Sequence, residues 1–331
     1  MAILVLGGAG YIGSHTTLEL IKQGYDVIVV DNLSTGFRKS VPEKAKFYKG
    51  DIRDFNFLNS LFKKEKIEAI IHFAAYSLVG ESTTNPLKYY ENNLCGTKVL
   101  LQAMVENNIN KIVFSSTAAT YGEPENIPIL ETDKTVPTNP YGETKLAMEK
   151  MFYWSSQAYN LNYVSLRYFN ACGADESGKI GEAHNPESHL IPLVLQVPNG
   201  KREYISVFGN DYDTPDGTCI RDYIHVTDLA KAHILALKYL IKGGKSDVFN
   251  LGNGKGYSVL EIIETARKVT NHSIPTKTVE RRTGDPARLV ASNEKAKEIL
   301  GWQPEITNLE EIILSAWNWH SKNPNGYKEN L

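Results

Sequence analysis

A tyrosine and a lysine stand four residues apart in the stretch NPYGETKLAMEK, at Tyr141 and Lys145. Residues at this spacing share one face of a helix. An ammonium group close to a phenol stabilises the phenolate and lowers the pKa of the tyrosine, which then suits a general base. Because the same spacing is common on helix surfaces, the pair indicates proton transfer only if the chain also supplies a cofactor and a further polar group.

Hydroxyl side chains end a predicted strand in the segment VFSSTAATYG, at Ser115, Ser116 and Thr117. The carboxyl end of a parallel strand faces the ligand crevice of an open α/β sheet. Considered alone, such hydroxyls are often turn formers, and that alternative stays open. Beside Tyr141 and Lys145 they predict a catalytic group, since a serine or threonine there can hydrogen-bond the oxygen that the tyrosine deprotonates.

A glycine-rich turn near the start of the chain predicts a dinucleotide site. The segment LVLGGAGYIGSHT places Gly7, Gly10 and Gly13 between an apolar strand and a helix, within the first βαβ unit. Glycines allow a tight turn and a close approach of the backbone to a pyrophosphate at the helix N-terminus. A generic glycine turn is the alternative to this interpretation.

Acidic residues after the next two strands favour NAD over NADP. Asp31 ends the segment VIVVDN and can accept both ribose hydroxyls of an adenosine. It would repel a 2′-phosphate, and neither Asn32 nor Leu33 offers an arginine to compensate. Asp51 and Ile52 follow the third strand and could hold the adenine, although a simple strand-end turn explains them equally well.

The arrangement of these segments predicts a fold of the α/β class. Short apolar runs alternate with helical patterns, which indicates βαβ units and a doubly wound parallel (Rossmann) sheet covered on both faces. We expect strands at 3–6, 27–30, 46–49, 67–73, 111–115 and 163–166, and helices at 11–23, 55–64, 86–107 and 141–159.

The pattern changes after about residue 168, where loops rich in Gly, Pro, Asn and Asp dominate up to 218. We expect a helix at 226–239 to return to the main sheet, while 249–251, 259–269 and 309–320 form a smaller layer. The predicted division is therefore a dinucleotide-binding domain over 1–168 with a return segment near 219–245. Residues 169–218 and 246–331 form a smaller, interleaved α/β lobe that binds the substrate.

The overall composition excludes several classes of function. A net charge of −2 over 331 residues gives no basic field for nucleic acid or anionic lipid. No apolar run approaches the roughly 18 residues that span a bilayer, and the N-terminus lacks the pattern of a signal peptide. Three sparse cysteines, Cys95, Cys172 and Cys219, suit a reducing cytoplasm.

Longer motifs carry a family resemblance that runs from end to end. The chain resembles the extended short-chain dehydrogenases/reductases and, within them, the UDP-glucose 4-epimerases. The motifs include GGAGYIGSH, VDNLSTG, FSSTAATYG, PYGETKLAME, LRYFNACGA, DGTCIRDYIHV and RRTGDPARLVAS. The resemblance implies tightly bound NAD, a UDP-sugar substrate, and a homodimer joined through the helices near 86–107 and 140–159.

The resemblance also implies roles for individual residues. Tyr141 is the base, Thr117 the hydroxyl that steadies the substrate oxygen, and Lys145 a ligand of the nicotinamide ribose. The implied NAD contacts are Gly7, Gly10, Tyr11, Ile12, Gly13, Asp31, Asn32, Leu33, Ser34, Thr35, Gly36, Asp51, Ile52, Phe73, Ala74, Ala75, Asn92, Ser115, Tyr141, Lys145, Tyr168 and Phe169. The implied substrate contacts are Thr117, Tyr141, Asn170, His189, Leu190, Ser206, Val207, Phe208, Arg221, Arg282, Asp285 and Leu289.

The sequence departs from that family at several positions. Ser77 stands where close relatives carry a lysine near the cofactor phosphates, and His189 where they carry an asparagine near the UDP phosphates. Ala119 replaces a frequent threonine. Leu289 falls where the family places a residue beside the C2 substituent of the sugar, and its size leads us to expect that UDP-GlcNAc and UDP-GalNAc also fit.

Three functions remain as alternatives. The first is C4 epimerisation through a 4-keto sugar, after which the sugar turns and is reduced on its other face. The second is another nucleotide-sugar epimerase, a 4,6-dehydratase or a decarboxylase. A dehydratase needs a further acid/base after the catalytic hydroxyl, where this chain has Ala118 and Ala119. The third is a binding protein that senses NAD without catalysis, which the presence of Tyr141 and Lys145 opposes.

A group of potential metal ligands occurs in the segment EAHNPESH, at Glu182, His184, Glu187 and His189. The segment lies in a predicted loop and lacks the helical HExxH spacing of catalytic zinc sites. No step of the expected reaction needs a metal. The sequence therefore predicts no metal site.

Overall fold

The computed structural model describes residues 1–282 and 285–327. Its strands are β1 Ala2–Leu6, β2 Val27–Asp31, β3 Lys46–Lys49, β4 Ile67–His72, β5 Lys111–Ser115, β6 Asn162–Tyr168, β7 Asn170–Cys172, β8 Ile205–Phe208, β9 Ile220–His225, β10 Asp247–Leu251, β11 Gly256–Ser258, β12 Thr276–Val279 and β13 Arg288–Leu289. Its α-helices are α1 Tyr11–Lys22, α2 Phe55–Lys64, α3 Val79–Thr84, α4 Pro86–Tyr89, α5 Gly96–Glu106, α6 Pro140–Tyr159, α7 Leu190–Leu195, α8 Val226–Ile241, α9 Val259–Thr270 and α10 Leu309–Lys322.

A seven-stranded sheet forms the larger part of the molecule. Its strand order is β10-β6-β5-β4-β1-β2-β3, and every neighbouring pair runs parallel. Parallel neighbours need crossover connections, which the helices supply on both faces. The expected doubly wound Rossmann sheet is therefore confirmed.

Alternate residues of the interior strand β1 contribute to two separate cores. Ile3 and Val5 pack on one face, in a core that also contains Leu229 of α8. Leu4 and Leu6 pack on the other face with residues of α2, α5 and α6. Because both faces are covered, the strand reads as a continuous apolar run, which is why its position could be predicted from the sequence.

The smaller lobe is built on two short sheets. In the first, β9 pairs with β7, β11 and β13, and in the second β8 pairs with β12. Helices α7, α9 and α10 cover them and share a core that includes Ile191, Ile262 and Ile312.

Several expected elements differ from the structure. Residues 249–251 belong to β10, which pairs with β6 in the large sheet, so their predicted place in the smaller layer is wrong. Within the expected return segment, Ile220–His225 is instead a strand of the smaller lobe. The helix expected over 86–107 consists of α4, a π-helical segment Tyr90–Cys95, and α5. Strands β7 and β8 lie in a region that was expected to be loop.

Among the described residues, no helix combines the length and apolar character needed to cross a membrane.

A buried histidine joins the two lobes. His15 of α1 hydrogen-bonds the Tyr11 carbonyl through Nδ1 at 2.8 Å, and its Nε2 accepts from the Asp175 backbone N–H at 3.1 Å. Tyr11 also donates its hydroxyl to the Gly173 carbonyl at 2.6 Å. Nε2 can accept only when the imidazole is neutral, and burial accordingly lowers the pKa of His15 to about 4.

This contact predicts loss of stability in mild acid. The ordinary pKa of His15 is 6.5, so between pH 6.5 and 4 the unfolded chain binds a proton that the folded chain does not. Stability from this group is complete above pH 6.5 and is lost as the pH falls toward 4. We expect His15→Gln to reduce the slope of unfolding free energy against pH in this window by about 1.4 kcal/mol per pH unit.

Urea denaturation at several pH values measures this slope. The control is His272→Gln, because His272 is exposed and should leave the slope unchanged. An unaltered slope in His15→Gln would show that other groups carry the acid sensitivity.

Candidate functional site

The glycine turn between β1 and α1 has no room for side chains. Gly7 has a φ of +77°, and a Cβ there would lie 2.6 Å from the Ala74 nitrogen. A Cβ on Gly13 would lie 2.2 Å from the Gly7 carbonyl oxygen. Gly10 is the N-cap of α1 and provides no side-chain hydrogen bond, so the first N–H groups of the helix remain available to an anion.

Two carboxylates stand at the ends of the strands beside this turn. Asp31 ends β2 and is buried, accepting from the N–H groups of Ala9 at 3.0 Å and Leu33 at 2.8 Å. Burial raises its pKa despite those hydrogen bonds. Asp51 accepts from Asn32 at 2.9 Å and from Arg53, whose guanidinium lowers the pKa of the carboxyl. The ribose and adenine contacts expected from the sequence therefore lie along one rim.

The structure brings Tyr141, Lys145 and Thr117 together at the carboxyl end of β5. Asn139 caps α6 by accepting from the Gly142 N–H at 2.9 Å, and Pro140 begins the helix, so Tyr141 lies in its first turn. Lys145 is buried one turn later, and its Nζ donates to the Ser115 carbonyl at 2.8 Å.

The pKa of Tyr141 differs from the expectation. Burial raises the pKa of Tyr141, and a hydrogen bond with Thr117 acts in the opposite direction. The Lys145 ammonium lies 5.9 Å from the centre of the Tyr141 ring, and burial lowers its pKa to about 7. The expected lowering of the tyrosine pKa is therefore wrong for the protein alone, because desolvation of the phenol outweighs its hydrogen bond with Thr117.

A buried ion pair joins α6 to β6. Glu149 lies one turn after Lys145 and binds Arg167 through both carboxylate oxygens, and the Ser116 hydroxyl donates to it. Arg167 also donates to the Tyr121 hydroxyl at 2.9 Å. Sequence reasoning missed this pair, although a charged residue four positions after Lys145, on the same helix face, was a signal for it.

Among the remaining expected cofactor contacts, Phe73, Ser115 and Tyr168 lie at or just after the carboxyl ends of β4, β5 and β6. Phe73 packs against the His233 ring at 4.6 Å between centroids, and Tyr168 hydrogen-bonds Ser115. Asn92 is buried in the π-helical segment. Ile52 packs inside the core beneath the large sheet, so only its backbone is available to an adenine.

Most of the expected substrate contacts lie in the smaller lobe. Arg221 pairs with Asp285, and Leu289 stands beside Arg221 in the register of β9 and β13. The Arg282 guanidinium stacks over the Phe208 ring at 4.1 Å.

The side chains of three other expected substrate contacts bind other parts of the protein instead. Val207 is buried in the core of the smaller lobe, so its side chain is not available to a uracil. The His189 imidazole contacts Glu182. Asn170 donates to the Asp222 carbonyl at 3.0 Å. These three positions can approach a substrate only through other atoms or after rearrangement.

Sequence reasoning also missed a buried aspartate next to Arg221. Asp222 accepts from the Asn253 N–H at 2.7 Å and the Ala291 N–H at 3.3 Å, and burial raises its pKa to about 7. These bonds tie β9 to the chain segments on either side of it and so fix Arg221. Its place in the motif IRDYIHV was the available signal.

The residues present fit an NAD molecule. A dinucleotide needs a glycine cradle at a helix N-terminus, an acid at the end of the second strand and a polar group near the reacting carbon. Gly7 and Gly13 provide the first, Asp31 the second, and Tyr141 the third. This constellation lies in one crevice along the carboxyl edge of the parallel sheet.

Comparison with known proteins agrees with this geometry. Residues 3–252 match the model of the NAD dependent epimerase/dehydratase family. The chain belongs to this family. It is 61% identical, over 99% of its length and 98% of the relative's, to a UDP-glucose 4-epimerase of Halalkalibacterium halodurans.

Two solved structures extend the comparison to the fold. A crystal structure of UDP-glucose 4-epimerase is 59% identical and superposes with a TM-score of 0.98 over 99% of this chain and 100% of its own. A UDP-glucose 4-epimerase from Bifidobacterium longum, in complex with NAD+ and UDP, is 43% identical with a TM-score of 0.92 over 99% and 100%.

The crowding at the glycine turn predicts that Gly13→Ala weakens NAD binding at least about tenfold, because the new methyl would displace the Gly7 carbonyl. The measurement is the NAD content of purified protein, followed by calorimetric titration of NAD into stripped protein. Gly80→Ala is the matched control, since a Cβ at Gly80 meets nothing within 4 Å. Normal NAD affinity in Gly13→Ala would contradict the assignment.

Proposed function

We propose that this protein interconverts UDP-glucose and UDP-galactose by oxidising and then reducing C4 of the sugar, with NAD retained throughout. The observation that carries the proposal is the group formed by Tyr141 and the buried residues Thr117 and Lys145 at the carboxyl end of β5. In its ionised form, the tyrosine can take a proton from a sugar hydroxyl whose oxygen is held by Thr117.

Each of the three residues has a defined role in the proposal. Tyr141 removes the proton from the 4-hydroxyl and later returns it, while Thr117 holds the oxygen. Lys145 binds the nicotinamide ribose and lends positive charge to the site. When bound, NAD supplies the acceptor and donor of the C4 hydrogen, and its oxidised nicotinamide ring adds positive charge that favours the tyrosinate.

The rest of the cofactor site is proposed from the same geometry. The pyrophosphate lies at the N-terminus of α1, beside Tyr11 and Ile12. Asp31 accepts the ribose hydroxyls, with the segment 32–36 around it, and Asp51 and the Ile52 backbone face the adenine. Ala74, Ala75 and Phe169 complete the crevice.

Substrate binding is proposed to rest on the UDP end. Arg221 and Arg282 flank the rim of the smaller lobe, and guanidinium groups suit phosphate oxygens. Asp285 already pairs with Arg221 and can accept a ribose hydroxyl. Firm anchoring of UDP with few sugar contacts lets the 4-keto sugar turn over within the site.

The residues after the catalytic hydroxyl oppose a dehydratase. Ala118 and Ala119 form a short 3₁₀ turn behind Thr117 and carry no acid or base. A protein that only senses NAD would not need the buried pair of Tyr141 and Lys145. Epimerisation therefore accounts for the site better than either alternative.

The assembly and location are proposed to follow the family. Helices α5 and α6 carry an exposed apolar surface that includes Val105, Trp154 and Tyr159, with Trp154 67% exposed. A second copy of the chain pairing the same helices would bury it and form a homodimer. All three cysteines are free, which suits the cytoplasm. The division into two lobes is proposed with β9 assigned to the smaller lobe and β10 to the large sheet.

The role of Tyr141 predicts that Tyr141→Phe lowers kcat for UDP-galactose by about 10²–10⁴-fold, because the base is lost while UDP is still anchored. The KM should change little. The assay measures UDP-glucose formed without added NAD, and Tyr159→Phe, an exposed tyrosine of the same helix, is the control. A Tyr141→Phe variant with nearly full activity would rule out the proposed base.

The size of Leu289 supports a broader substrate range. It is half-buried and stands next to Arg221 across the β9–β13 pair, beside the proposed phosphate ligand. A leucine leaves more room than a tyrosine for an acetamido group at C2. We therefore propose that UDP-GlcNAc and UDP-GalNAc are also interconverted.

This predicts that Leu289→Tyr lowers kcat/KM for the N-acetylated pair at least about tenfold more than for the glucose pair, since only the larger substituent meets the new ring. Both pairs are assayed with the same enzyme preparation. Leu289→Met conserves volume and serves as the control. Equal losses on both pairs would contradict the placement.

A further inference from the structure

Four potential metal ligands that are scattered along a loop converge in the structure. The quartet Glu182, His184, Glu187 and His189 contributes one ligand atom each, and these atoms all lie within 4.8 Å of one another. The quartet belongs to the segment between β7 and α7, and the proposed reaction uses no metal there. Two imidazoles and two carboxylates are a donor set that first-row divalent cations accept.

Two distances within the quartet match the edge of a coordination tetrahedron. His184 Nδ1 lies 3.3 Å from Glu182 Oε1 and 3.4 Å from Glu187 Oε1. With bonds of about 2.0–2.1 Å to zinc, the edge of a coordination tetrahedron is about 3.3–3.4 Å. His189 Nδ1 contacts Glu182 Oε1 more closely than that edge, so these two atoms would have to move apart to bind one ion.

One atom of the quartet has an unmet bonding requirement. His184 Nδ1 is buried and makes no hydrogen bond, although two carboxylate oxygens lie within 3.4 Å of it. Only 3% of the Glu182 side chain is exposed. Buried charged groups are normally either paired in good hydrogen-bond geometry or bound to a metal. A cation between the four atoms would satisfy His184 and neutralise both carboxylates.

We propose that the quartet is a structural site for a divalent transition metal, with zinc the best match to its ligands. Four protein ligands leave no open position, which distinguishes a structural from a catalytic zinc site. The sequence argued against a metal because the motif lacks helical spacing and the reaction needs none. Neither reason excludes a closed site assembled from a loop.

The surroundings of the quartet indicate what the metal would stabilise. The Trp319 Nε1 of α10 donates to the Glu182 carbonyl at 3.1 Å, and the Tyr11 ring lies 6.1 Å from that of His184. Leu190, which begins α7, follows His189 directly. The metal would thus fasten the loop that connects the glycine turn, the C-terminal helix and the smaller lobe.

Metal uptake by the intact protein tests the proposal. Chelator-treated protein is dialysed against Zn²⁺ and then against metal-free buffer, and bound zinc is measured by mass spectrometry. We expect about one zinc per chain, a rise in Tm of a few degrees on addition of Zn²⁺, and reversal by chelator. Co²⁺ in place of Zn²⁺ should give the intense visible absorption of a tetrahedral site.

Two variants locate the site. His184→Ala and the milder His189→Asn should each bind zinc at least about tenfold more weakly and lose the Tm response. The control His272→Ala removes an exposed histidine and should behave as wild type. If His184→Ala does not fold, the number of zinc ions bound per wild-type chain and the zinc affinity of His189→Asn still test the site. Zinc uptake well below one per chain in wild type, or equal uptake in the folded variants, would overturn the proposal.

Discussion

The hydrogen bond from Lys145 to the Ser115 carbonyl is the contact on which the site depends. It joins α6 to the carboxyl end of β5 and holds an ammonium group where water is excluded. An isolated buried charge is unfavourable, and burial accordingly brings the pKa of Lys145 down to about 7. Glu149, one turn further along α6, offsets part of this penalty, and its ion pair with Arg167 of β6 anchors the helix.

Burial also acts on the tyrosine. It disfavours the Tyr141 phenolate and raises the pKa of the phenol further above neutral, so the protein alone holds Tyr141 protonated. In the proposed reaction the site becomes fully basic only with an oxidised cofactor in place, since its positive ring adds to the charge of Lys145. The base would then be active only when the hydrogen acceptor is also present.

Sequence reasoning located the large sheet well and the smaller lobe poorly. Strand β5 and helix α2 were predicted with their observed bounds, because strands buried on both faces and amphipathic helices leave local patterns. Strands β7 and β8 have partners about 50 and 70 residues away, and no local pattern records such pairing. Motifs alone selected the residues of the proposed catalytic group, but they did not indicate the raised pKa of Tyr141, because burial depends on tertiary packing. The His/Glu quartet was dismissed for a similar reason, since its irregular spacing conceals its convergence.

The central claim is that C4 is oxidised and reduced within one closed site. The most direct test is conversion of UDP-galactose carrying deuterium at C4, in ordinary water and without added NAD, with the product examined by NMR. We expect UDP-glucose that retains the deuterium at C4. Replacement of the label by solvent hydrogen, or no conversion without added NAD, would contradict it.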